Sequence, residues 1–253
     1  MSKYRSGLPQ LNGKRFLTDS GLETTLIFHD GYDLPFFEAF TLANSADGRM
    51  HLDAYFRRHL EIAKKAGVGF VFELPTWRAN RDWAKKVGIE GQALVDIHKR
   101  LIDDALELRD AEETKQTPIV ISGSIGPRGD GYDPGRVMTV GEACHYHSEQ
   151  LKTFADSEVD CATAMTLTNV PEAMGIALAA REVGLPIVIS FTLETDGHLP
   201  TGDTLSAAIE DVDAVTEGYP AYYMINCAHP DHFSNTLTEP GPWRSRVRGI
   251  RAN

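Results

Sequence analysis

Short apolar runs rich in β-branched residues alternate along the chain with longer stretches in which apolar positions recur every three or four residues. The runs fall at Arg15–Asp19, Val68–Leu74, Pro118–Gly123, Val159–Met165, Pro186–Leu193, Ala221–Cys227 and Arg246–Ala252. Segments such as Pro-Ile-Val-Ile-Ser are apolar almost throughout, which predicts parallel strands buried on both faces. Between them, Leu52, Tyr55, Phe56, Leu60 and Ala63 form a helical stripe that stops at Gly67, a residue suited to a left-handed helix end. Leu94, Ile97, Leu101, Ala105 and Leu108 form a second face, and Leu205, Ala208, Ile209, Val212 and Val215 another. Thr139 with Glu142, and Asn169 with Glu172, have capping-box spacing and open two more helices.

Alternation of this kind predicts right-handed βαβ units and a parallel sheet. Seven strand runs are one fewer than close a TIM-type barrel. The expected fold is therefore α/β, a parallel (β/α)8 barrel lacking its C-terminal unit, as a single domain over residues 1–253. No Pro/Gly/Ser-rich linker divides it, and the Gly/Pro-rich stretch from Gly123 to Gly135 follows a strand, as a βα loop over an active site does. A dinucleotide-binding sheet would want G-x-G-x-x-G after the first strand. The residues there are Thr18-Asp19-Ser20-Gly21-Leu22-Glu23, with an acid where a pyrophosphate would lie.

Charge and cysteine usage narrow the partners. A formal net charge of -11 repels phosphate backbones and anionic lipid, so neither nucleic acid nor a membrane surface is an expected partner. The one basic cluster, Arg244, Arg246, Arg248 and Arg251, alternates with Val247 and Ile250 as an exposed strand face would. Residues 1–10 contain no apolar leader core, and the three cysteines are odd in number and far apart. A reducing compartment, the cytoplasm, is the expectation.

Reactive groups of a (β/α) barrel sit at the C-terminal ends of strands. Here those ends read Leu-Thr-Asp-Ser-Gly-Leu-Glu-Thr (17–24), Glu-Leu-Pro-Thr-Trp-Arg-Ala-Asn (73–80), Ser-Gly-Ser-Ile-Gly-Pro (122–127) and Met-Ile-Asn-Cys-Ala-His-Pro (224–230). In this order, from about Phe16 to Asn253, they resemble the homocysteine S-methyltransferase family, which includes the zinc-thiolate domain of methionine synthases. That family has an Asp-Gly-Gly-like first turn, a Thr followed by an aromatic at strand two, a Gly-Ser-Val-Gly-Pro-like third strand and a Val-Asn-Cys sixth strand.

The resemblance implies an enzyme that transfers a methyl group to the thiol of homocysteine, or a related thiol, to give methionine. It implies zinc, which would keep one position open for the substrate sulfur and deprotonate it. Cys227 would be the first metal ligand, with Asn226 supporting its loop. Asp19, Ser20 and Gly21 would meet the polar end of the substrate, and Thr76 would line the pocket. Asp19, Asn226 and Cys227 would carry the chemistry. S-methylmethionine, betaine and S-adenosylmethionine all serve as donors within the family.

Two departures qualify these implications. The family's Gly-Gly-Cys-Cys segment, source of the other two zinc ligands, is not in the chain, so this chain alone is not expected to hold zinc. Cys144, on a helix, and Cys161, at a strand start, cannot replace them. The family's fourth-strand Glu-Thr, which holds the substrate amino group, is Met165-Thr166 here, and methionine offers an ammonium no anionic acceptor. Glu194, at the end of strand five, is the candidate replacement. A missing strand would also leave unpaired edges, which invite homo-oligomers.

Two other functions fit the same residues. One is a non-catalytic paralogue that binds an amino acid or a partner; the other is a lyase or hydrolase using Asp19, Glu23 and Glu73 as acid–base groups. His229 is expected to shape its loop. Cys144, His145 and His147 are expected at a partly solvated helix surface, and Glu38, His51 and His59 on loop and helix surfaces.

Overall fold

The computed structural model describes residues 1–252. The chain forms two compact units, one of Met1–Ser124 with Asp156–Cys161, the other of Ile125–Ala155 with Ala162 onward.

The first unit begins with β1 (Phe16–Thr18), the short α1 (Leu22–Thr24), which runs into a π-helical turn at Thr25–His29, and 3-10 turns at Pro35–Phe37 and Ala39–Asn44. It continues with α2 (Ala46–Ala66), β2 (Gly69–Glu73), α3 (Arg81–Lys86), α4 (Gln92–Glu112) and β3 (Ile119–Ile125). β1 pairs parallel to β2, with Phe16 opposite Gly69, and β2 pairs parallel to β3, with Phe70 opposite Ile119. Gly69 is required there, because a Cβ at this position would run into the ring of Phe16.

Helix α2 shows how the sequence dictates an element. Ser45 accepts from the Gly48 N–H at 2.9 Å and so caps the N-terminus. Leu52, Tyr55, Phe56, Leu60 and Ala63 are buried as the stripe predicts. Gly67, at φ 64°, ends the helix. Burying each large side chain on that face is worth about 1.5–3 kcal/mol, so the stripe more than its propensity holds the helix in place.

The second unit holds α5 (Val140–Ala155), β4 (Cys161–Leu167), α6 (Val170–Glu182), β5 (Ile187–Phe191), α7 (Leu205–Thr216), β6 (Tyr222–Asn226), α8 (Pro230–Phe233) and β7 (Val247–Arg251). β4 to β5, β5 to β6 and β6 to β7 are parallel pairs. The capping box of α5 forms in both directions: Thr139 Oγ1 accepts from Glu142 N at 3.2 Å, and Glu142 accepts from Thr139 N at 2.8 Å. Helix α6 packs so closely on α5 that a Cβ on Gly175 would strike Ala143.

Strand order follows chain order, β1 to β7, with helices between strands, which is the α/β class of the TIM-type barrel. Each strand starts and stops within two residues of the predicted run. At the C-terminal strand ends the largest differences are in three strands: β3 and β4 run two residues past the expected end, so Met165 and Thr166 lie inside β4, and β5 stops two residues short. The basic cluster is divided: Arg244 and Arg246 belong to a 3-10 turn, and Arg246 pairs with Asp213 at 2.7 Å. No helix among the described residues is long and apolar enough to cross a membrane.

Candidate active site

In the second unit the ends of β4, β5 and β6 are joined by one side chain. Asn226 is buried, and its Oδ1 accepts from Thr166 N at 2.9 Å and from Ser190 Oγ at 2.6 Å. Its Nδ2 donates to Thr166 Oγ1 at 2.8 Å and to Cys227 Sγ at 3.3 Å. Thr166 N can only donate, which fixes Oδ1 on that side and turns the amide N–H groups toward Thr166 Oγ1 and the sulfur. All four hydrogen-bonding positions of the amide are thereby used.

Two residues touched by this amide have left-handed backbones, Thr166 at φ 61° and Cys227 at φ 54°. A β-branched residue rarely occupies that region. At Thr166 the cause is visible: the register of β4 against β5 shifts between Ala164 and Leu167, a bulge that re-aims the residue within it. Cys227 is held from both sides of its peptide, its N–H donating to Arg251 O at 3.1 Å and its carbonyl accepting from Thr192 Oγ1 at 3.3 Å. The arrangement presents a half-buried sulfur with an N–H aimed at it and a hydroxyl, Thr166 Oγ1, at 3.9 Å. Strained backbone held by a satisfied polar network at strand ends is characteristic of functional positions.

The first unit carries its own polar strand end. Asp19 is buried after β1 and accepts from Tyr55 OH at 3.1 Å and Thr18 Oγ1 at 3.2 Å. Ser20 is exposed, and its hydroxyl meets His59 Nε2 at 3.0 Å. His59 Nδ1 donates to Tyr55 O at 3.0 Å, so the other ring nitrogen accepts from Ser20. His59 is thus tied to the Asp19 turn through Tyr55, a role its helical position does not reveal. Gly21 precedes α1, and its carbonyl accepts from Thr25 N. Thr76 is fully buried, and its hydroxyl donates to Ser124 O at 2.8 Å, bracing the end of β2 against the end of β3. Glu73 is buried and Glu23 half-buried.

Other expected site residues are placed as follows. Met165 is buried in β4. Glu194 is exposed, in a tight turn where its N–H donates to His198 O at 2.8 Å. His229 caps α8, its Nδ1 accepting from Asp231 N at 3.2 Å, in keeping with a loop-shaping role. Cys144 is on α5 and Cys161 opens β4, where burial pushes its thiol up.

Two surface expectations are overturned. His147 is buried, not solvated, and its Nε2 lies 2.9 Å from Glu172 Oε1. Glu172 also accepts from Arg128 N at 2.7 Å, fastening the root of the β3–α5 loop. Burial raises the Glu172 carboxyl, but His147, Arg128 and Asn169 together hold it below the usual carboxylate range. Ala143, His147, Gln150, Leu151 and Phe154 lie on the buried face of α5, a spacing that the sequence already displays. Glu38 is also completely buried.

Zinc does not fit the described residues. A structural or catalytic zinc site needs three or four anionic or imidazole ligands. Cys227 Sγ accepts from an amide N–H and a hydroxyl, neither of them a zinc ligand, and no cluster of three His, Cys, Asp or Glu among the described residues could hold a metal.

Strands in sequential parallel order with helices between them place the chain in the class of α/β barrels, with polar groups gathered at strand ends. The homocysteine S-methyltransferase family model matches residues 19–250, and the chain belongs to that family of methyltransferases. In fold it is similar to the homocysteine methyltransferase MmuM from Escherichia coli. Against the metallated form of that protein the identity is 20% and the TM-score 0.72, over 96% of this chain and 92% of the other. Against the oxidized form the values are 18% and 0.73 with the same coverage. No curated protein is similar enough in sequence to count as a relative.

Proposed function

We propose that the chain transfers a methyl group to the thiol of homocysteine, or of a closely related compound, giving methionine or its analogue. The observation that carries this reading is the Asn226–Cys227 pair, held by Thr166 and Ser190 at the ends of three adjacent strands. Family membership over residues 19–250 supports it.

In this reading Cys227 and Asn226 serve the sulfur end of the reaction. Asp19, Ser20 and Gly21 meet the polar end of the acceptor, where the Asp19 carboxylate is an acceptor for an ammonium. Thr76 keeps that wall in place from behind, through Ser124 O. Glu194 supplies a second acidic group in place of the one Met165 does not provide. The described residues bring one thiol to the site, fewer ligands than zinc needs.

The test is methionine formation, followed by mass spectrometry, from homocysteine with S-methylmethionine, betaine or S-adenosylmethionine, each with and without added zinc salt. Turnover with one donor is expected, falling by about 100-fold or more in Cys227→Ser. No product with any donor, or full activity in Cys227→Ser, would sink the reading; the former would favour a non-catalytic barrel.

A further inference from the structure

Glu38 stands apart from every other acid in the first unit. It is completely buried, and neither carboxylate oxygen has a hydrogen-bond partner among the described residues. Buried carboxylates are ordinarily paired or hydrogen-bonded, so this one has a reason to be elsewhere when ionised. The charged groups facing it are Arg78, from the segment between β2 and α3, and Lys86, from α3; its own segment contributes none.

Both cations lie over aromatic rings. The Arg78 guanidinium lies between Trp77 and Trp83, 4.2 and 3.5 Å from their ring centres. Lys86 Nζ lies over Trp83 at 3.3 Å and over Phe36 at 5.3 Å. Glu38 itself sits at the end of a segment whose backbone is strained. Phe36 and Phe37, immediately before it, are both left-handed, at φ 56° and 60°, and both half exposed, at 50% and 48%. The Phe36 ring meets the aromatic stack at Trp83, with ring centres 6.1 Å apart.

We propose that Glu38 is a proton-operated latch for the segment from Gly31 to Glu38. Protonated, it stays buried and the segment lies closed, with Phe36 against Trp83. Ionised, the carboxylate moves to water or toward Lys86, the left-handed phenylalanines relax, and Phe36 leaves the tryptophan. The cations do not follow inward, because both are stacked on aromatic faces.

The sign follows from linkage. Burial pushes the Glu38 carboxyl up to about 7, against the pull of Arg78 and Lys86. The closed form therefore binds the proton more tightly than an open one with an ordinary carboxyl. Closure is complete at acid pH and weakens as pH rises toward and through about 7, by on the order of a hundredfold in the closed-to-open ratio.

The experiment is tryptophan emission of the whole chain from pH 5 to 9, compared with Glu38→Gln and Lys86→Met. Trp77 and Trp83 report on the stack, and Trp243 adds a background that the variants share. The wild type should show a one-proton change centred near or below neutrality. Glu38→Gln should abolish it, and Lys86→Met, by removing a nearby positive charge, should move it upward by roughly half a unit. No transition in the wild type, or the same transition in Glu38→Gln, overturns the latch. If circular dichroism shows that Glu38→Gln does not fold, the surface variant Lys86→Met decides, an unmoved midpoint counting against it. Because the readout is emission and not turnover, its failure is separable from failure of the methyl-transfer reading.

Discussion

Asp160, at the N-terminal end of β4, and Asn226, at the C-terminal end of β6, both tie strands together, and they do so in opposite ways. Asp160, just before β4, accepts from Tyr4 N at 2.7 Å, from Ile121 N at 2.9 Å and from Arg109 Nη1 at 2.9 Å. Ordinary backbone surrounds it, and Asp160 N returns a bond to Ile121 O. Asn226 is just as fully bonded, but its partners include two residues with left-handed backbones and a half-buried sulfur. One hub closes on itself. The other spends its bonds holding strained residues where the chain would not otherwise leave them. A barrel separates stability and function between the two ends of its strands, and under the proposed function Asp160 and Asn226 would be that division at the scale of single side chains.

The largest effect should come from breaking the closed hub. Arg109 and Asp160 are a nearly fully buried ion pair. Removing one partner leaves an uncompensated charge, which costs about 3–5 kcal/mol. Urea unfolding of Arg109→Ala should show that loss with an unchanged slope; a change under about 1 kcal/mol would mean that the Tyr4 and Ile121 N–H groups alone suffice.

Breaking the strained hub should cost less stability and more function. In Asn226→Ala, Thr166 N and Ser190 Oγ lose their acceptor in a buried setting, at about 1–3 kcal/mol for each such group. Relief of the strained backbone at Thr166 offsets part of that sum, so we expect roughly 2–4 kcal/mol in all, together with loss of the donor to Cys227 Sγ and of methyl transfer. Retained turnover in a folded Asn226→Ala would remove this amide from the chemistry, leaving it a purely structural tie.

The contrast also explains what the sequence made legible. The periodicities of apolar residues placed all seven strands and three of the five principal helices, because burial on both faces of a strand or one face of a helix leaves a direct mark on the pattern; capping boxes marked the other two. Short helices such as α3 left no such mark, having too few turns to show a period. The positions of Asp19, Asn226 and Cys227 at strand ends were legible because strand ends are predictable once strands are. Glu38 was missed because an acid in a loop reads as solvated, although it interrupts an apolar run from Leu34 to Ala43. His147 was missed because its neighbours Cys144 and His145 suggested a surface cluster. The left-handed turns at Thr166 and Cys227 leave no trace at all: neither residue type favours them, and only the surrounding network sets the backbone.

That last point gives the smallest and sharpest prediction. If Thr166 is held in a costly conformation, a residue without a Cβ should be happier there than one with it. Thr166→Ala loses the hydroxyl that accepts from Asn226 Nδ2 and keeps the strain; Thr166→Gly loses the same hydroxyl and sheds the strain. Both variants lose comparable bonding, so the difference between them isolates the backbone term. Thr166→Gly should be the more stable of the pair by about 1 kcal/mol in thermal or urea unfolding, offset in part by the extra freedom of glycine in the unfolded chain. Were Thr166→Ala equal or better, the left-handed turn would be an easy conformation for this chain. The bond from Asn226 would then be a consequence of the bulge in β4 and not what enforces it.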